Sequence, residues 1–431
     1  MSDVALTYPT PNAWALSERR YLRRATIFLL YVAQGLPLGL LDFAMPAWLA
    51  QNGASAAAIG SVLAMTILPW TLKLAHGFVM DRYTFLAMGR RRPWIIASQF
   101  GLVAGFIALA LANPSVHQIA LISAFAFTIS LFASMQDVAV DGLAVDILEP
   151  DEIARVNGFM FGGQMIGIAA GGALGGYCLA YYGLPAAALV LAVIAGMILC
   201  LITSVRERSG EKLLPWSNGS AVQRNLDLQR AAFLPIIRDV FKAMTQRETL
   251  KILPAFVATS AAFGVFLGLG PLFAVDYLDW QKDTYSGWVS QASLVAGLAG
   301  IVLCGPLAEF AGPRRALLGT FGGFFLFGLA MLALEPQWGN ALLFIPAIFT
   351  IYLLRTQSLV AVCSLSMPLC VPAVAATQFG LLMAVANLGR TISAAMLGWL
   401  DSLGGYSAMF LAIAGFSLVG AGFVLVARVG R

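Results

Sequence analysis

Long apolar stretches, each about as long as a bilayer is thick, follow one another along most of the chain. A window of about 20 residues separates twelve of them, and each is predicted to be a transmembrane helix. They lie roughly at residues 25–50, 54–79, 94–112, 118–140, 154–180, 186–204, 252–275, 286–308, 316–334, 341–366, 373–400 and 405–427. The pattern predicts an all-α membrane protein with twelve transmembrane helices.

One long polar segment divides these stretches into two groups of six. It covers residues 205–251 and includes RERSGEK and PWSNGSAVQRN. The residues before the first stretch do not resemble a removable signal peptide, so the first stretch is expected to be a retained span. The predicted organisation is an N-terminal segment (1–24), a six-helix bundle (25–204), a linker (205–251), a second six-helix bundle (252–427) and a short tail (428–431).

Positive charge is distributed unevenly between these spans. Of the 26 Lys and Arg residues, 22 fall in segments on one predicted side of the membrane, and nine of these lie in the linker. Cytoplasmic loops are enriched in Lys and Arg, so both termini are predicted to be cytoplasmic. This accounts for the net charge of +5 without a nucleic-acid partner.

Composition narrows the function classes further. The charged fraction is 11%, against about 25% in soluble globular proteins. Five cysteines without CxxC spacing and only two histidines indicate neither a disulfide framework nor a metal site. GxSxG, HExxH and P-loop motifs are missing from the sequence, so we predict a non-enzyme without a cofactor. A transporter, a channel or a non-transporting receptor fits the spans, and the repeated features below favour a transporter.

Two polar loops at equivalent positions in the two halves resemble each other. GFVMDRYTFLAMGRRR (77–92) follows the second span and GPLAEFAGPRR (305–315) follows the eighth, each with a glycine four residues before an acid. Such repeats are typical of transporters built from two related bundles. We interpret the loops as a latch that opens and closes during transport, with simple positive-inside anchoring as the alternative. The predicted gating residues are Gly77, Asp81, Arg90, Arg91, Gly305, Glu309 and Arg314.

The two halves and the first loop resemble the major facilitator superfamily. Within it, YVAQGLPLG (31–39), DRYTFLAMGRRRPW (81–94) and SMQDVAVDGLAVDIL (134–148) are similar to the AmpG family of muropeptide permeases, whose relatives include acetyl-CoA transporters and siderophore importers. The resemblance implies proton-coupled uptake across the bacterial inner membrane, with anhydromuropeptides as the type substrate. It also implies that Gln136, Asp137 and Asp141 match the family's Gln-Asp-x-x-x-Asp element.

Asp137 and Asp141 follow an uncharged segment (118–135) in the fourth span. Four residues apart, they share one face of a helix, so two carboxylates would repel and a proton on one of them would relieve the repulsion. Proton coupling is one interpretation. A second is that Asp141 or the nearby Asp146 forms a salt bridge with Arg90 or Arg91 of the first loop, and a third is a solvated helix end.

Asp42 lies more than halfway along the first span, where a lone acid is costly unless it faces a cavity. It is the third candidate for proton coupling. Pro37 and Pro46 flank it, and GVFLGLGPLF in the seventh span carries a similar set of helix-breaking residues. Interrupted helices in both halves indicate elements that move during transport.

Three cations lie inside predicted spans. Arg355 and Arg390 are too deep to reach water easily, and a guanidinium suits carboxylate or phosphate, so we predict an anionic substrate. The alternative is an ion pair with a buried acid such as Asp42. Lys73 is predicted either to pair with Asp137 or Asp141 or to contact substrate. The predicted substrate-binding residues are Arg355, Arg390, Lys73, Gln34, Gln136, Gln164, Gln378 and Asn387, and the predicted partners are a small molecule, protons and lipid, with a monomeric chain.

Overall fold

The computed structural model of the chain describes residues 14–230, 232–280 and 282–427. Ten of its helices are long and apolar enough to span a membrane. The residues described form no β-strand beyond an isolated bridge between Ala15 and Arg206. Residues 1–13 of the predicted N-terminal segment and the whole predicted tail (428–431) lie outside the described residues. The helices are α1 (Arg20–Gln51), α2 (Ala57–Arg82), α3 (Arg92–Ala112), α4 (Ile119–Ile147), α5 (Ile153–Ser204), α6 (Gln223–Leu228), α7 (Phe233–Met244), α8 (Arg247–Leu278), α9 (Thr284–Ala311), α10 (Pro313–Ala333), α11 (Ala341–Leu369) and α12 (Pro372–Val426).

Two of the ten apolar helices are long enough to cross a bilayer twice. α5 has 52 residues and α12 has 55, whereas about 20 residues suffice for one crossing. Each contains a non-helical break, at Gly183 in α5 and at Gly404 and Gly405 in α12. Gly183 has φ +81°, a conformation that glycine adopts without a Cβ clash, and Pro185 follows it near the start of the second segment. Ten helices with two breaks are consistent with the twelve predicted spans, and the all-α membrane fold is confirmed.

Two π-helical turns interrupt otherwise regular helices. One is Leu40–Ala44 in α1 and the other is Gly300–Cys304 in α9. A proline follows each turn by two residues, at Pro46 and Pro306, and proline cannot donate a backbone hydrogen bond to the preceding turn. The glycines and proline at 268–271 instead lie inside continuous α8. The irregularity in the second half is therefore on the eighth predicted span and not on the seventh.

The chain forms two compact units. Unit 1 contains the described residues up to Leu148, Ala170–Ile237 and Pro372–Thr377. Unit 2 contains Glu149–Ala169, Arg238–Val371 and the described residues from Gln378 onward. Each unit thus includes a short segment from the other half of the sequence. The five sequence segments proposed above remain a prediction.

Each unit has its own apolar interior. In unit 1, Leu36, Leu102 and Leu191 belong to one buried cluster. In unit 2, Phe273 stacks on Phe344, with ring centroids 4.6 Å apart, inside a cluster rich in aromatic side chains. Glycine allows close packing of helices in unit 1, because a Cβ on Gly171 of α5 would collide with the Leu36 carbonyl of α1.

Candidate functional site

Three helices of unit 1 bring together a group of polar side chains that we name the Asp137 cluster: Asp137, Asp141, Lys73, Gln34 and Tyr31. Asp137 and Asp141 lie on α4 and are 5% and 8% exposed. Lys73 of α2 forms an ion pair with Asp137, and the amide of Gln34 of α1 donates to the same carboxylate. The Tyr31 hydroxyl of α1 donates to Asp141 Oδ1 at 2.5 Å. The cluster therefore sets two carboxylates against one ammonium group.

Local helix geometry explains how these side chains meet. Tyr31 and Gln34 are three residues apart and the two aspartates four apart, so each pair shares one helix face. Lys73 follows a local break at Leu72, where the backbone turns out of helical geometry (φ −86°, ψ 2°). Its ammonium lies 4.7 Å from the centroid of the Trp70 ring, a cation–π contact, and its side chain is 26% exposed. Lys73 thus pairs with Asp137, one of its two predicted acidic partners, and its contact with substrate remains a prediction.

Asp42 lies in the π-helical turn of α1. Its Oδ1 is buried, and no hydrogen-bond partner for it is found among the described residues. An unpartnered carboxylate oxygen in an apolar helix is costly when ionised. Among the described residues, Asp42 Oδ1 thus lacks the polar partners that the acids of the Asp137 cluster have. The proposed role of Asp42 in proton coupling remains a prediction.

The first polar loop forms a second charged group in unit 1, the Asp81 cluster: Asp81, Asp146, Arg90 and Arg91. Arg91 donates to Asp81 Oδ1 at 2.5 Å and to Asp146 Oδ2 at 3.2 Å. Arg90 reaches the same two acids at 3.4 and 3.2 Å. Burial and the neighbouring Arg91 lower the pKa of Arg90 to about 10. Burial alone would lower the pKa of Arg91 as well. The carboxylates of Asp81 and Asp146 outweigh this effect and raise the pKa of Arg91 above its usual value.

The start of α12 belongs to the same arrangement. The other oxygen of Asp81, Oδ2, accepts hydrogen bonds from the Thr377 amide at 2.9 Å and the Thr377 hydroxyl at 2.7 Å. Arg90 donates to the carbonyls of Pro372 and Ala373. A Cβ on Gly77 would lie 2.7 Å from the Thr377 Cα, so only glycine permits this approach. The first polar loop therefore binds a segment from the second half of the sequence, and its role as a latch remains a prediction.

A carboxylate from the linker caps the N-terminus of α3. Glu207 accepts hydrogen bonds from the backbone amides of Arg90, Arg91 and Arg92 at 3.1, 2.8 and 3.0 Å. Arg92 is the first residue of α3 and Arg90 and Arg91 directly precede it, so none of these amides has a partner within the helix. A negative charge at this end is favoured by the helix dipole. Gly89 has φ +107°, and a Cβ on it would lie 2.6 Å from Glu207 Oε2.

Glu211, the next acid of the linker, is buried beside this cap. It accepts from the Arg208 amide at 2.8 Å and from the Asn225 side chain at 2.7 Å. Burial, together with the charge of Glu207, raises the pKa of Glu211 from about 4.5 to about 8. The linker therefore contains an acid that titrates near neutral pH.

The second polar loop uses different partners in unit 2. Glu309 pairs with Arg155 at 2.5 Å, and this pair is partly exposed. Arg314 donates to the carbonyls of Val424 and Leu425, both at 2.9 Å, at the end of α12. Gly305 packs closely on Arg155, whose carbonyl would be 3.2 Å from a Cβ placed there. Glu309 and Arg314 thus contact other segments, and no ion pair between them is found among the described residues.

Arg355 and Arg390 lie in unit 2 close enough for their charges to interact. Arg355 donates to the Ser260 hydroxyl at 3.3 Å and lies 5.3 Å from the centroid of the Phe263 ring. Arg390 is exposed and also interacts with Tyr352. Among the described residues of unit 2, neither guanidinium pairs with a carboxylate. Two positive charges are therefore left without an acidic partner in this unit.

The predicted amide side chains fall into two groups. Gln136 donates to the Leu30 carbonyl at 3.0 Å, and Gln378 bonds to the Val371 amide and the Leu369 carbonyl at 2.7 and 2.8 Å. These two amides hold backbone segments in place. Gln164 is partly buried and Asn387 is exposed, so both retain accessible polar groups.

A family model described as the Major Facilitator Superfamily matches residues 27–377, which is most of the chain. The chain belongs to the Major Facilitator Superfamily. It is 25% identical over 408 residues to the anhydromuropeptide permease of Escherichia coli (strain K12), with 94% of this chain and 80% of that protein covered. It is 26% identical over 416 residues to the folate-biopterin transporter of Synechocystis sp. (strain PCC 6803), with 91% and 78% covered.

Solved structures of this superfamily have the same fold. The human organic anion transporter MFSD10 matches with a TM-score of 0.65 and 16% identity, covering 94% of this chain and 99% of that one. FucP in its outward conformation matches with a TM-score of 0.68 and 12% identity, covering 94% and 98%. At these identities the likeness concerns the fold alone.

Several residues of this major facilitator protein were missing from the predicted set. Tyr31 lies three residues before Gln34, and this i, i+3 spacing was the available signal. Glu207 and Thr377 are distant in sequence from the loop they contact, so no spacing rule could place them there. Arg92 was visible as the third arginine of the first loop, and it donates to the Ile202 and Thr203 carbonyls at 3.1 and 2.9 Å, at the end of α5.

Proposed function

We propose that this major facilitator transporter is a proton-coupled importer of an organic anion, with an anhydromuropeptide as the leading candidate. The observation that carries the proposal is the different set of charged side chains in the two units. Unit 1 holds two carboxylates with one lysine in the Asp137 cluster, and unit 2 holds two arginines without an acidic partner among its described residues. We therefore assign the proton-binding site to unit 1 and the anion-binding site to unit 2.

The Asp137 cluster offers a place for one exchangeable proton. With both carboxylates ionised and Lys73 charged, the cluster has a net negative charge, and one added proton makes it neutral. A neutral cluster is favoured inside an apolar unit, where an uncompensated charge costs several kcal/mol in desolvation. We therefore assign proton uptake to Asp137 or Asp141, with Tyr31 and Gln34 orienting the two carboxylates.

Arg355 and Arg390 are the proposed anion-binding groups. Each guanidinium can donate two parallel hydrogen bonds to a carboxylate or phosphate, and Ser260 and Phe263 fix the position of Arg355. Gln164 and Asn387 are proposed to add hydrogen bonds to sugar hydroxyl or peptide groups. An anion bound here compensates the positive charges that unit 2 leaves unpaired.

Alternating access requires contacts that break and form again. The proposed gating contacts are the Asp81 cluster with Thr377, and the Glu309–Arg155 ion pair. We place the protein in the bacterial inner membrane as a monomer with both termini in the cytoplasm. The positive-inside distribution and the similarity to the E. coli permease support this location.

The relatives favour a carboxylate-bearing substrate. An anhydromuropeptide contains sugar, peptide and carboxylate groups, and folate also carries carboxylates. Both occur in the names of relatives that cover more than nine tenths of this chain. A ferric siderophore or an acyl-CoA has similar polar and anionic groups, so these compounds are the alternatives to be compared directly.

Thermal-shift measurements on the purified protein test the proposed substrate class. We expect an anhydromuropeptide to stabilise the chain more than ferric siderophores or acyl-CoA. Arg355→Gln and Arg390→Gln should each weaken binding by about one to two decades, because each removes a charge-assisted hydrogen bond worth ~1.5–3 kcal/mol. Arg224→Gln, which changes an exposed arginine of the linker helix α6, is the matched control and should leave affinity unchanged. Stabilisation only by neutral or cationic compounds, unchanged in both variants, would contradict the anionic substrate.

A further inference from the structure

The linker contains one helix, α7, whose outward face is apolar. Leu234, Ile237 and Phe241 are 74%, 50% and 69% exposed. On the same helix Ile236 and Val240 are buried. The helix therefore has two apolar faces, one covered by protein and one open.

The open face has a defined geometry. Leu234, Ile237 and Phe241 stand at i, i+3 and i+7, within about 60° of the helix circumference. Arg238 and Lys242 follow on one flank of this face, and both are exposed. The order around the helix is a covered apolar face, an open apolar face and a basic edge. This order is typical of a helix that lies in a membrane interface, with the cations near lipid phosphates.

The position of α7 in the chain brings it to the membrane surface. The helix ends at Met244, and the membrane-spanning helix α8 begins at Arg247. The linker also carries nine of the chain's 26 Lys and Arg residues, which gives it charge complementary to an anionic leaflet.

We propose that the open face of α7 docks onto the anionic phospholipid of the bilayer surface beside α8. Leu234, Ile237 and Phe241 enter the boundary between headgroups and acyl chains, and Arg238 and Lys242 contact the phosphates. The linker is thereby attached to the membrane at a point between the two sequence halves. This inference is independent of the transported substrate.

Site-directed nitroxide labelling of the full-length protein in vesicles tests the docking. The five native cysteines are replaced, and a label is placed at Ile237→Cys or Phe241→Cys. Trp216→Cys is the matched control, because Trp216 is an 81% exposed apolar residue of the same linker outside α7. Collision with oxygen, which concentrates in lipid, is compared with collision with a water-soluble nickel chelate, in phosphatidylcholine vesicles with and without phosphatidylglycerol.

Docking predicts that the labels at 237 and 241 collide more with oxygen and the label at 216 more with nickel. The difference should increase with phosphatidylglycerol, and Arg238→Gln or Lys242→Gln should each weaken partitioning roughly fivefold. Nickel accessibility at 237 and 241 equal to that at 216 would overturn the proposal. Protection from both reagents would also overturn it, because a protein surface would then cover the face. Oxygen exposure that does not depend on phosphatidylglycerol would refute the anionic-lipid partner.

Discussion

Asp137 and Asp141 are neighbours on one helix but have different partners. Asp137 accepts from Gln34 and pairs with Lys73, whereas Asp141 accepts the Tyr31 hydroxyl. Neither contacts the arginines of the first loop, which bind Asp146 instead. The salt bridge to these arginines is therefore formed by Asp146, and proton coupling through Asp137 or Asp141 remains our proposal.

Replacing either acid should separate uphill transport from exchange. In Asp137→Asn or Asp141→Asn, we expect loss of concentrative uptake with exchange between equilibrated substrate pools preserved, because exchange needs no net proton release. Both activities are measured in proteoliposomes with labelled substrate. Asp146→Asn is the control and should alter the rates of both processes together. Simultaneous loss of uptake and exchange in a folded Asp137 or Asp141 variant would argue for substrate binding in place of coupling.

The cap on α3 leads to a prediction about Gly89 and Glu207. Glu207→Gln keeps the shape but removes the charge that three backbone amides share, and the expected loss of stability is about 1–3 kcal/mol. Gly89→Ala should cost a similar amount, since its Cβ would collide with Glu207 and its φ is positive. Gly210→Ala is the control, because Gly210 has φ +87° and nothing within 4 Å of a Cβ. Unfolding midpoints in detergent provide the measurement, and an equal loss in both glycine variants would assign the effect to backbone strain alone.

At the scale of elements, the linker up to Ile237 is a folded part of unit 1 and not a simple connection. Its residues 206–211 form hydrogen bonds with Trp14 and Leu16, with the first loop and with the Asp146 carbonyl. Glu211 is buried there, with a pKa raised to about 8. An acid whose pKa is raised on folding favours the folded state below its unfolded value of about 4.5. That contribution is lost as the pH rises through about 8.

The linker should consequently open more readily in alkaline solution. We expect amide hydrogen exchange in residues 206–228, corrected for its intrinsic pH dependence, to increase between pH 6 and pH 9. Glu211→Gln should flatten this increase, whereas Asp227→Asn, a change at an exposed acid of α6, should not. A pH profile that is the same in the wild-type and Glu211→Gln proteins would show that Glu211 is not the responsible group.

The membrane-spanning helices could be predicted from the sequence because a helix that crosses a bilayer needs a long apolar segment of nearly fixed length. The breaks at Gly183 and at Gly404 and Gly405 agree with the predicted boundaries of spans five, six, eleven and twelve. Partners of the loops were harder to foresee. Asp81 and Thr377 are 296 residues apart, and such a pairing depends on tertiary structure that local periodicity does not encode.

At the scale of the whole molecule, the two sequence halves repeat a pattern with different residues. In the first loop, Arg92 donates to the last carbonyls of α5, and in the second, Arg314 donates to the last carbonyls of α12. The acids of the two loops, Asp81 and Glu309, differ more in their burial and in their partners. Asp81 is fully buried among arginines, whereas Glu309 has one partly exposed partner. We therefore expect the first loop to form the stronger contact of the proposed latch.

Proton coupling is the central claim, and uptake into proteoliposomes under an imposed gradient tests it most directly. One proton crossing 100 mV releases ~2.3 kcal/mol, enough for roughly 50-fold accumulation when the substrate's own charge is balanced. With a labelled anhydromuropeptide, an inward proton gradient should drive concentrative uptake, and an uncoupler should reduce it to equilibration. Accumulation that is unchanged after the uncoupler would contradict the account.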